Sequence, residues 1–218
     1  RITGGYAHKH FSQFGEDVFL MRHFKNRSAG FYVDVGAHHP MRYSNTQLLH
    51  AMGWSGINID PNPYTIRLFN AYRPRAKNVQ SAVDVVEGEL TYYTFSDPAI
   101  NTCVPTVAQR WQTKKWVEYL GAIQIPVRTL GSICKEFVPV GTKIQVLNVD
   151  VEGLDLGVLQ SHNWQDFSPE VIIVESHDAI FETLNTHPIY QFLHERGYTL
   201  VSWMSPGLIF LYSNSKNA

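Results

Sequence analysis

Three carboxylates stand where short apolar runs come to an end. Asp60 closes Gly56-Ile-Asn-Ile-Asp60 and lies 24 residues after Gly36. Asp150 closes Lys143-Ile-Gln-Val-Leu-Asn-Val-Asp150, and Glu175 closes Glu170-Val-Ile-Ile-Val-Glu175, with His177 two residues on. If those runs are strands of an open parallel sheet, ligands bind outside their carboxyl ends, where the strand order reverses. A carboxylate at the place of Asp60 accepts hydrogen bonds from both hydroxyls of a ribose. Two carboxylates and a histidine, converging from distant parts of the chain, suit a divalent ion such as Mg2+ or Mn2+. They also suit proton removal from a substrate, with His177 the first choice of general base because an imidazole near neutral pKa both takes and releases a proton.

The loop after Phe31-Tyr-Val-Asp-Val35 narrows the cofactor. It reads Gly36-Ala-His-His-Pro40. Gly36 permits a tight turn and lets a ligand come close. Asp34 either accepts from a cationic amine or positions the loop. A pyrophosphate needs G-x-G-x-x-G, so that backbone and helix N-terminus approach it. One glycine followed by His38 and His39 does not provide that, and the loop favours a nucleoside cofactor without phosphate, of which S-adenosylmethionine is one. Ser81-Ala82-Val83 is small and apolar and suits an adenine edge. A nicotinamide-dependent (NAD) Rossmann oxidoreductase is the competing reading, disfavoured by the missing glycines. A non-catalytic module that keeps the fold is a third, disfavoured by the intact Asp60, Asp150 and Glu175. His38 and His39 are rivals of His177 as base, although each suits an ordinary loop position as well.

The elements that must position these groups alternate along the chain. Ser44-Asn45-Thr46 caps a helix that runs to about Met52 and stops at Gly53. Asn62 is a good N-cap, Pro63 suits the first helical turn, and Ile66, Phe69 and Tyr72 recur at helical spacing. Val79–Val83 is the third strand. Strand, helix, strand, helix, strand with short links implies a parallel sheet with right-handed crossovers. Leu90–Phe95 alternates as a strand, Val107–Tyr119 reads as a Trp-rich helix, Ile123–Val127 as a short strand and Leu130–Phe137 as a helix. A helix at Leu154–Gln160 follows Asp150, with Glu152 the acidic first-turn residue that a helix dipole favours. Thr186 caps a last helix that ends at Gly197, and Tyr198–Trp203 with Leu208–Tyr212 form a hairpin around Ser205-Pro206-Gly207.

Composition bounds the class. Hydrophobic residues make up 44% and charged residues 17% of 218, which is globular. A net charge of -1 argues against a bulk nucleic-acid binder. No apolar run approaches the roughly 20 residues that span a bilayer, and there is no signal-peptide pattern. Cys103 and Cys134 form no metal motif, and two cysteines in a chain of this size suggest a reducing, cytoplasmic setting with free thiols. The chain opens with Arg1 rather than Met, which reads as a piece trimmed from a longer protein. Oligomeric state is not encoded legibly, and a homo-oligomer stays open.

Six motifs in order tie these features together: Ser12-Gln13-Phe14-Gly15-Glu16-Asp17, Val33-Asp34-Val35-Gly36-Ala37, Ser44-Asn45-Thr46, Gly53-Trp54-Ser55-Gly56, Ile59-Asp60-Pro61-Asn62-Pro63 and Asp150-Val151-Glu152-Gly153. Together they resemble the FkbM family of S-adenosylmethionine-dependent methyltransferases, over roughly Phe11 to Ser176. The resemblance implies a class I, Rossmann-like methyltransferase fold: α/β, a mostly parallel seven-stranded sheet that ends in an antiparallel hairpin, helices on both faces. It implies O-methylation of a sugar, glycan or metabolite hydroxyl, and that Gln13 and the Gly36 loop, with Asp60, face the cofactor; with Asp34, Ala37, Ser44, Asn45, Asn62 and Ala82 these make the expected cofactor set. No linker divides the chain, which reads as one domain over 1–218 with an N-terminal helical segment at 11–27 and, as the longest insertion between core strands, a substrate cover at 97–121. Asp150, Glu175 and His177 are then the catalytic and metal-binding candidates, in positions similar to the acidic ligands of metal-dependent catechol and macrolide-sugar O-methyltransferases. His38-His39 departs from the family pattern, where smaller polar residues such as Asn and Asp are expected. Trp111, Trp116 and Tyr119 of the insertion either stack on a sugar face or pack the helix onto the body.

Overall fold

A computed structural model describes residues 9–213. After α1 (Glu16–His23) the chain alternates: β1 (Phe31–Val35), α2 (Gln47–Ala51), β2 (Ser55–Asp60), α3 (Pro63–Tyr72) and β3 (Lys77–Gln80). β4 (Ala82–Val83) and β5 (Gly88–Phe95) follow, then a 3-10 turn at Pro98–Ile100, α4 (Pro105–Gln112) and β6 (Tyr119–Arg128). The second half runs α5 (Leu130–Phe137), β7 (Val146–Val149), α6 (Asp155–Gln160) and β8 (Val171–Glu175). A 3-10 turn at Phe181–Thr186, α7 (Pro188–His194) and the hairpin β9 (Tyr198–Met204) and β10 (Gly207–Tyr212) complete it.

Seven strands form one sheet in the order β3-β2-β1-β7-β8-β10-β9. The first five are parallel, and β10 runs antiparallel to both β8 and β9. This is the mostly parallel sheet with a closing hairpin expected from the sequence. Alternate residues of the strands feed two cores. Val33, Val35, Ile57 and Ile59 pack with Leu130, Ile133, Leu159 and Leu193 of α5, α6 and α7. Tyr32, Val146 and Ile173 pack with Leu20 of α1, Phe24 just after it and Leu49 of α2. Helices therefore cover both faces, and each fully buried Val, Ile or Leu contributes about 1.5–3 kcal/mol. Strand order reverses between β1 and β7, which puts a crevice at their carboxyl ends.

One face of the sheet carries a polar row. Register sets Asn78, Asn58, Asp34 and Asn148 side by side across β3, β2, β1 and β7. Asn58 donates to Asn78 at 2.8 Å, and Asn148 donates to Asp34 at 2.9 Å. Over this row lies Arg73, fully buried at the end of α3. One terminal nitrogen reaches Thr46 Oγ1 (2.8 Å), Asn58 Oδ1 (3.0 Å) and Tyr32 Oη (3.3 Å). The other reaches the Pro40 carbonyl (2.7 Å), Ser44 Oγ (3.0 Å) and Gln47 Oε1 (3.1 Å). Thr46 passes the contact on by donating to Asp34 at 2.5 Å. The buried cation thus clamps the 36–47 loop onto the sheet, with the buried Asp34 carboxyl as its opposite charge.

Several local expectations change. Val79–Val83 is not one strand. Ser81 donates its N–H to the Asp60 carbonyl and its hydroxyl to Ala82 and Pro126 carbonyls, and the chain leaves the main sheet there. Ala82 and Val83 then pair with Val127 and Arg128 in a separate three-stranded sheet, β4-β6-β5. The helix expected to reach Tyr119 stops at Gln112, because residues 119–128 pair with β5 along its whole length. Thr46 occupies the N-cap of α2 without capping it, its hydroxyl being held between Asp34 and Arg73. Thr186 donates to the Thr183 carbonyl and ends a 3-10 turn, and His187 is the N-cap of α7. Cys103 and Cys134 are free thiols, and no helix among the described residues is long and apolar enough to cross a membrane.

Removing the Arg73 charge leaves the Asp34 carboxyl buried and unpaired. Arg73→Met is expected to lower unfolding free energy by about 3–5 kcal/mol, the range for breaking one side of a buried pair. Urea denaturation measures it; a loss under 1 kcal/mol would show that the clamp is not structural.

Candidate active site

The loop after β1 is fixed by backbone bonds. Gly36 and Ala37 both donate to the Ile59 carbonyl, at 2.9 and 3.1 Å. Gly36 has φ 75°, and a Cβ there would fall 1.7 Å from the Asp150 carbonyl oxygen. The close approach that this glycine permits is therefore to the chain after β7, not to a ligand. It brings Asp150 against the β1 turn.

Asp60 ends β2 with both carboxyl oxygens oriented. Oδ2 accepts from the His38 N–H at 2.9 Å and Oδ1 from the Asn62 N–H at 2.8 Å. Each oxygen keeps a second lone pair for a ligand hydroxyl. Burial pushes the Asp60 carboxyl up to about 7, against these two backbone bonds. Asn62 caps α3 by accepting from Tyr64 N–H at 2.9 Å, and it does not line the cavity.

A cavity runs along the strand ends. Of the residues singled out from the sequence, Gln13, Asp34, Gly36, Ala37, Ser44, Asn45, Asp60 and Ala82 line it, and so do Asp150 and Glu175. Asp34 accepts from Thr46 and Asn148, one bond to each oxygen, so its carboxyl braces the loop. Burial raises its pKa. Asn45 donates to Asn148 at 2.8 Å and ties the same loop to β7. Pro98, Asn101, Thr102 and Cys103, from the expected cover insertion, line the opposite wall. Trp111 instead packs with Phe95, Ile100 and Ala108, and Trp116 meets it edge-on at 5.8 Å.

The two histidines of the loop part company. His39 accepts through Nδ1 from the Met41 and Arg42 N–H groups, both at 3.0 Å, and so builds a turn. His38 lines the cavity, and burial, with Arg42 nearby, brings its imidazole down to about 4.

The far end of the cavity is acidic. Burial raises the Asp150 carboxyl well above its usual range, and the adjacent Glu175 adds to this. Burial also raises Glu175, but hydrogen bonds from His177 and Asp150 outweigh it and leave Glu175 below its usual value. His177 Nε2 lies 3.1 Å from Glu175 Oε2, and that bond raises the imidazole pKa. Glu152, with φ 54°, completes the group; burial and Glu175 push it up to about 7. Single ligand atoms of Glu152, Glu175 and His177 all lie within 4.8 Å of one another. Asp150 is not in that trio but stands beside Glu175 in the same cavity wall.

A second cavity opens beyond these groups. Val107 and Arg110 of α4, Ser176, His177, Asp178, His187 and Ile189 line it, and Glu152 and Glu175 line both cavities. His177 opens only onto the second. Sequence reading missed Glu152 as more than a helix-start acid, and missed Asn148 and Arg73. A lone Asn inside an apolar strand was a usable signal for Asn148; nothing local marks Arg73.

A sheet of this order, with a buried carboxylate at the end of β2 and an acidic cluster at the ends of β7 and β8, is built as a Rossmann-like methyltransferase. Residues 34–200 match the sequence model of the Methyltransferase FkbM domain, and the chain belongs to that family. No curated protein and no solved structure matches it.

Gly36 and Gly53 both have positive φ, but a Cβ on Gly53 meets nothing within 4 Å. Gly53→Ala is expected to cost about 1–2 kcal/mol, the left-handed penalty alone. Gly36→Ala must also push the Asp150 backbone away, so its melting temperature is expected to fall much further. Equal losses in the two variants would refute the contact.

Proposed function

We propose that this methyltransferase moves the methyl group of S-adenosylmethionine to a hydroxyl of a sugar, a glycan or a glycosylated metabolite. The observation that carries the reading is the pair of adjoining cavities with Glu152 and Glu175 in their common wall. Asp60 takes the ribose hydroxyls, the small residues Ser81 and Ala82 take the adenine edge, and the sulfonium end points toward Asp150 and Glu175. The acceptor occupies the second cavity, whose apolar floor (Val107, Leu156, Ile189) and polar rim suit a carbohydrate ring. A nicotinamide dinucleotide fits less well, because the space beside Gly36 is filled by the Asp150 carbonyl and no glycine-rich turn cradles a pyrophosphate.

In the transfer, the acceptor oxygen attacks the methyl carbon in line with the breaking carbon–sulfur bond, and the sulfonium leaves as a neutral thioether. Rate comes mainly from alignment across the shared wall. Glu175 faces both cavities and is placed to take the hydroxyl proton, with His177 holding its carboxylate from the solvent side. Asp150 hydrogen-bonds Glu175 and keeps that carboxylate oriented. Two carboxylates and an imidazole also fit a divalent ion, Mn2+ better than Mg2+ given the nitrogen ligand. When bound, such an ion supplies the charge that acidifies an acceptor hydroxyl.

Calorimetry with S-adenosylhomocysteine is expected to give micromolar binding that weakens as pH falls from 8 to 6. An ionised Asp60 accepts both ribose hydroxyls; protonation near pH 7 removes one acceptor site. Asp60→Asn should bind weakly at every pH and flatten the profile. Absence of binding at pH 8 would remove the cofactor reading, and an unchanged profile in Asp60→Asn would remove the ribose role.

Mass spectrometry of methyl transfer to a panel of sugar acceptors tests the chemistry. Chelation with EDTA is expected to lower turnover at least about tenfold, with Mn2+ or Mg2+ restoring it. Glu152→Gln should need more metal for the same rate. Full turnover after chelation would leave Glu175 as an unassisted base.

A further inference from the structure

We propose that the loop from Asp178 to His187 is a second acceptor subsite, which binds the neighbouring ring of a di- or oligosaccharide acceptor; this rests on the glycan reading of the second cavity. The loop starts and ends at that cavity, since Asp178 and His187 both line it. Between them the chain turns outward and displays Ile180 and Phe181, the latter 77% exposed. The Phe181 ring is nonetheless held. It stacks on Trp203, with centroids 5.9 Å apart and planes 14° apart, so one face leans on the indole and the other is presented to solvent. Register places this pair at the ligand end of the sheet. Trp203 pairs with Leu208, and Leu208 with Val174, the residue before Glu175. Cross-strand partners share a face. All three pack into the core that holds Ile189, which itself lines the second cavity. Two strand spacings, about 10 Å, separate Trp203 from the strand that carries Glu175.

The same loop supplies an oriented polar group. Ser176 Oγ donates to Asp178 Oδ1 at 3.0 Å, and His187 Nε2 lies 3.2 Å from the same oxygen. The His187 side chain is largely buried, whereas that of Asp178 is 86% exposed. Oδ1 is thus anchored, and among the described residues no other side chain bonds Oδ2. A carboxylate held by one oxygen accepts ligand hydroxyls on the other without first being ordered. A sugar ring has both complements: hydroxyls around its edge, and an apolar face of C–H groups that packs on an aromatic face. A carboxylate and an aromatic plate three residues apart, continuous with the cavity that Glu175 lines, suit a carbohydrate. A lipid surface calls for a basic rim, and residues 178–187 include Asp178 and Glu182 but no Lys or Arg.

The test measures methyl transfer by the full chain to matched acceptors from the sugar panel: a methyl glycoside, and the disaccharide that extends the same sugar by one unit. The unsubstituted chain is expected to show a KM about tenfold lower for the disaccharide. Phe181→Ala should raise the disaccharide KM about tenfold, the scale of one lost aromatic contact, and so remove that preference. Phe181→Trp should restore it. Asp178→Asn keeps an anchored Oδ1 but presents N–H groups in place of Oδ2, and should also raise the disaccharide KM. Both effects should fall on KM and not on kcat, since neither group touches the reacting atoms. Equal KM values for the two acceptors in the unsubstituted chain, or equal changes for both in Phe181→Ala, would overturn the subsite. Loss of vesicle binding in Phe181→Ala with no change in disaccharide KM would overturn it in favour of a lipid surface. A chain that binds S-adenosylhomocysteine but methylates no sugar of the panel would bring down the glycan reading, and this inference with it.

Discussion

The structure turns on one buried guanidinium. Arg73 sits at the end of α3, its guanidinium over the Phe69 ring of that helix, but its six side-chain hydrogen bonds go to β1, β2, α2 and the 36–47 loop. A charge taken wholly out of water needs both a full set of acceptors and an opposite charge close by. Thr46 and Asp34 supply the second requirement, and loop carbonyls and hydroxyls much of the first. The loop is therefore not a free connection that happens to lie near the crevice. It is the solvation shell of Arg73, and its shape follows from that duty. Ser44, Thr46 and Asp34 are explained by the clamp before any ligand is considered.

The crevice inherits its geometry from that brace and from the glycine contact. Because Gly36 has no side chain, the chain leaving β7 packs directly on the β1 turn, and Asp150 is set beside the cofactor loop. Glu175 follows from the next strand in the sheet, level with Asp150 because Val149 pairs with Val174. Crowding these carboxyls, on top of their burial, has an electrostatic consequence: Asp150 and Glu152 are pushed up, while the bonds from His177 and Asp150 hold Glu175 below its usual value. The Asp60 carboxyl lies elsewhere along the same cavity, oriented by the His38 and Asn62 N–H groups instead of by cations.

Several elements were legible because their signals are local. Strand ends at Val35, Asp60 and Glu175, the Asn62-Pro63 start of α3, the helix Leu130–Phe137 and the closing hairpin each follow from periodicity, caps and turn residues within a few positions. The errors share a cause. Val79–Val83 and Val107–Tyr119 are segments whose partner strands come from elsewhere in the chain, and pairing with β5 and β6 overrode their local preference. Glu152 was not legible as a neighbour of Glu175 and His177 for the same reason: that proximity joins residues from two different strand ends.

By itself the sequence determined the alternation of strands and helices, the single-glycine turn that disfavours a pyrophosphate cradle, and the carboxylates at the strand ends. These are properties of runs and spacings, carried by backbone propensity and hydrophobic period. Tertiary structure alone decided that Arg73 is the keystone, that Gly36 makes room for a backbone instead of a ligand, that His39 closes a turn while His38 faces the cavity, and that Glu152 joins Glu175 between two cavities. Each of those depends on the distance between atoms far apart in the chain, and on which of two neighbouring side chains the packing leaves pointing inward.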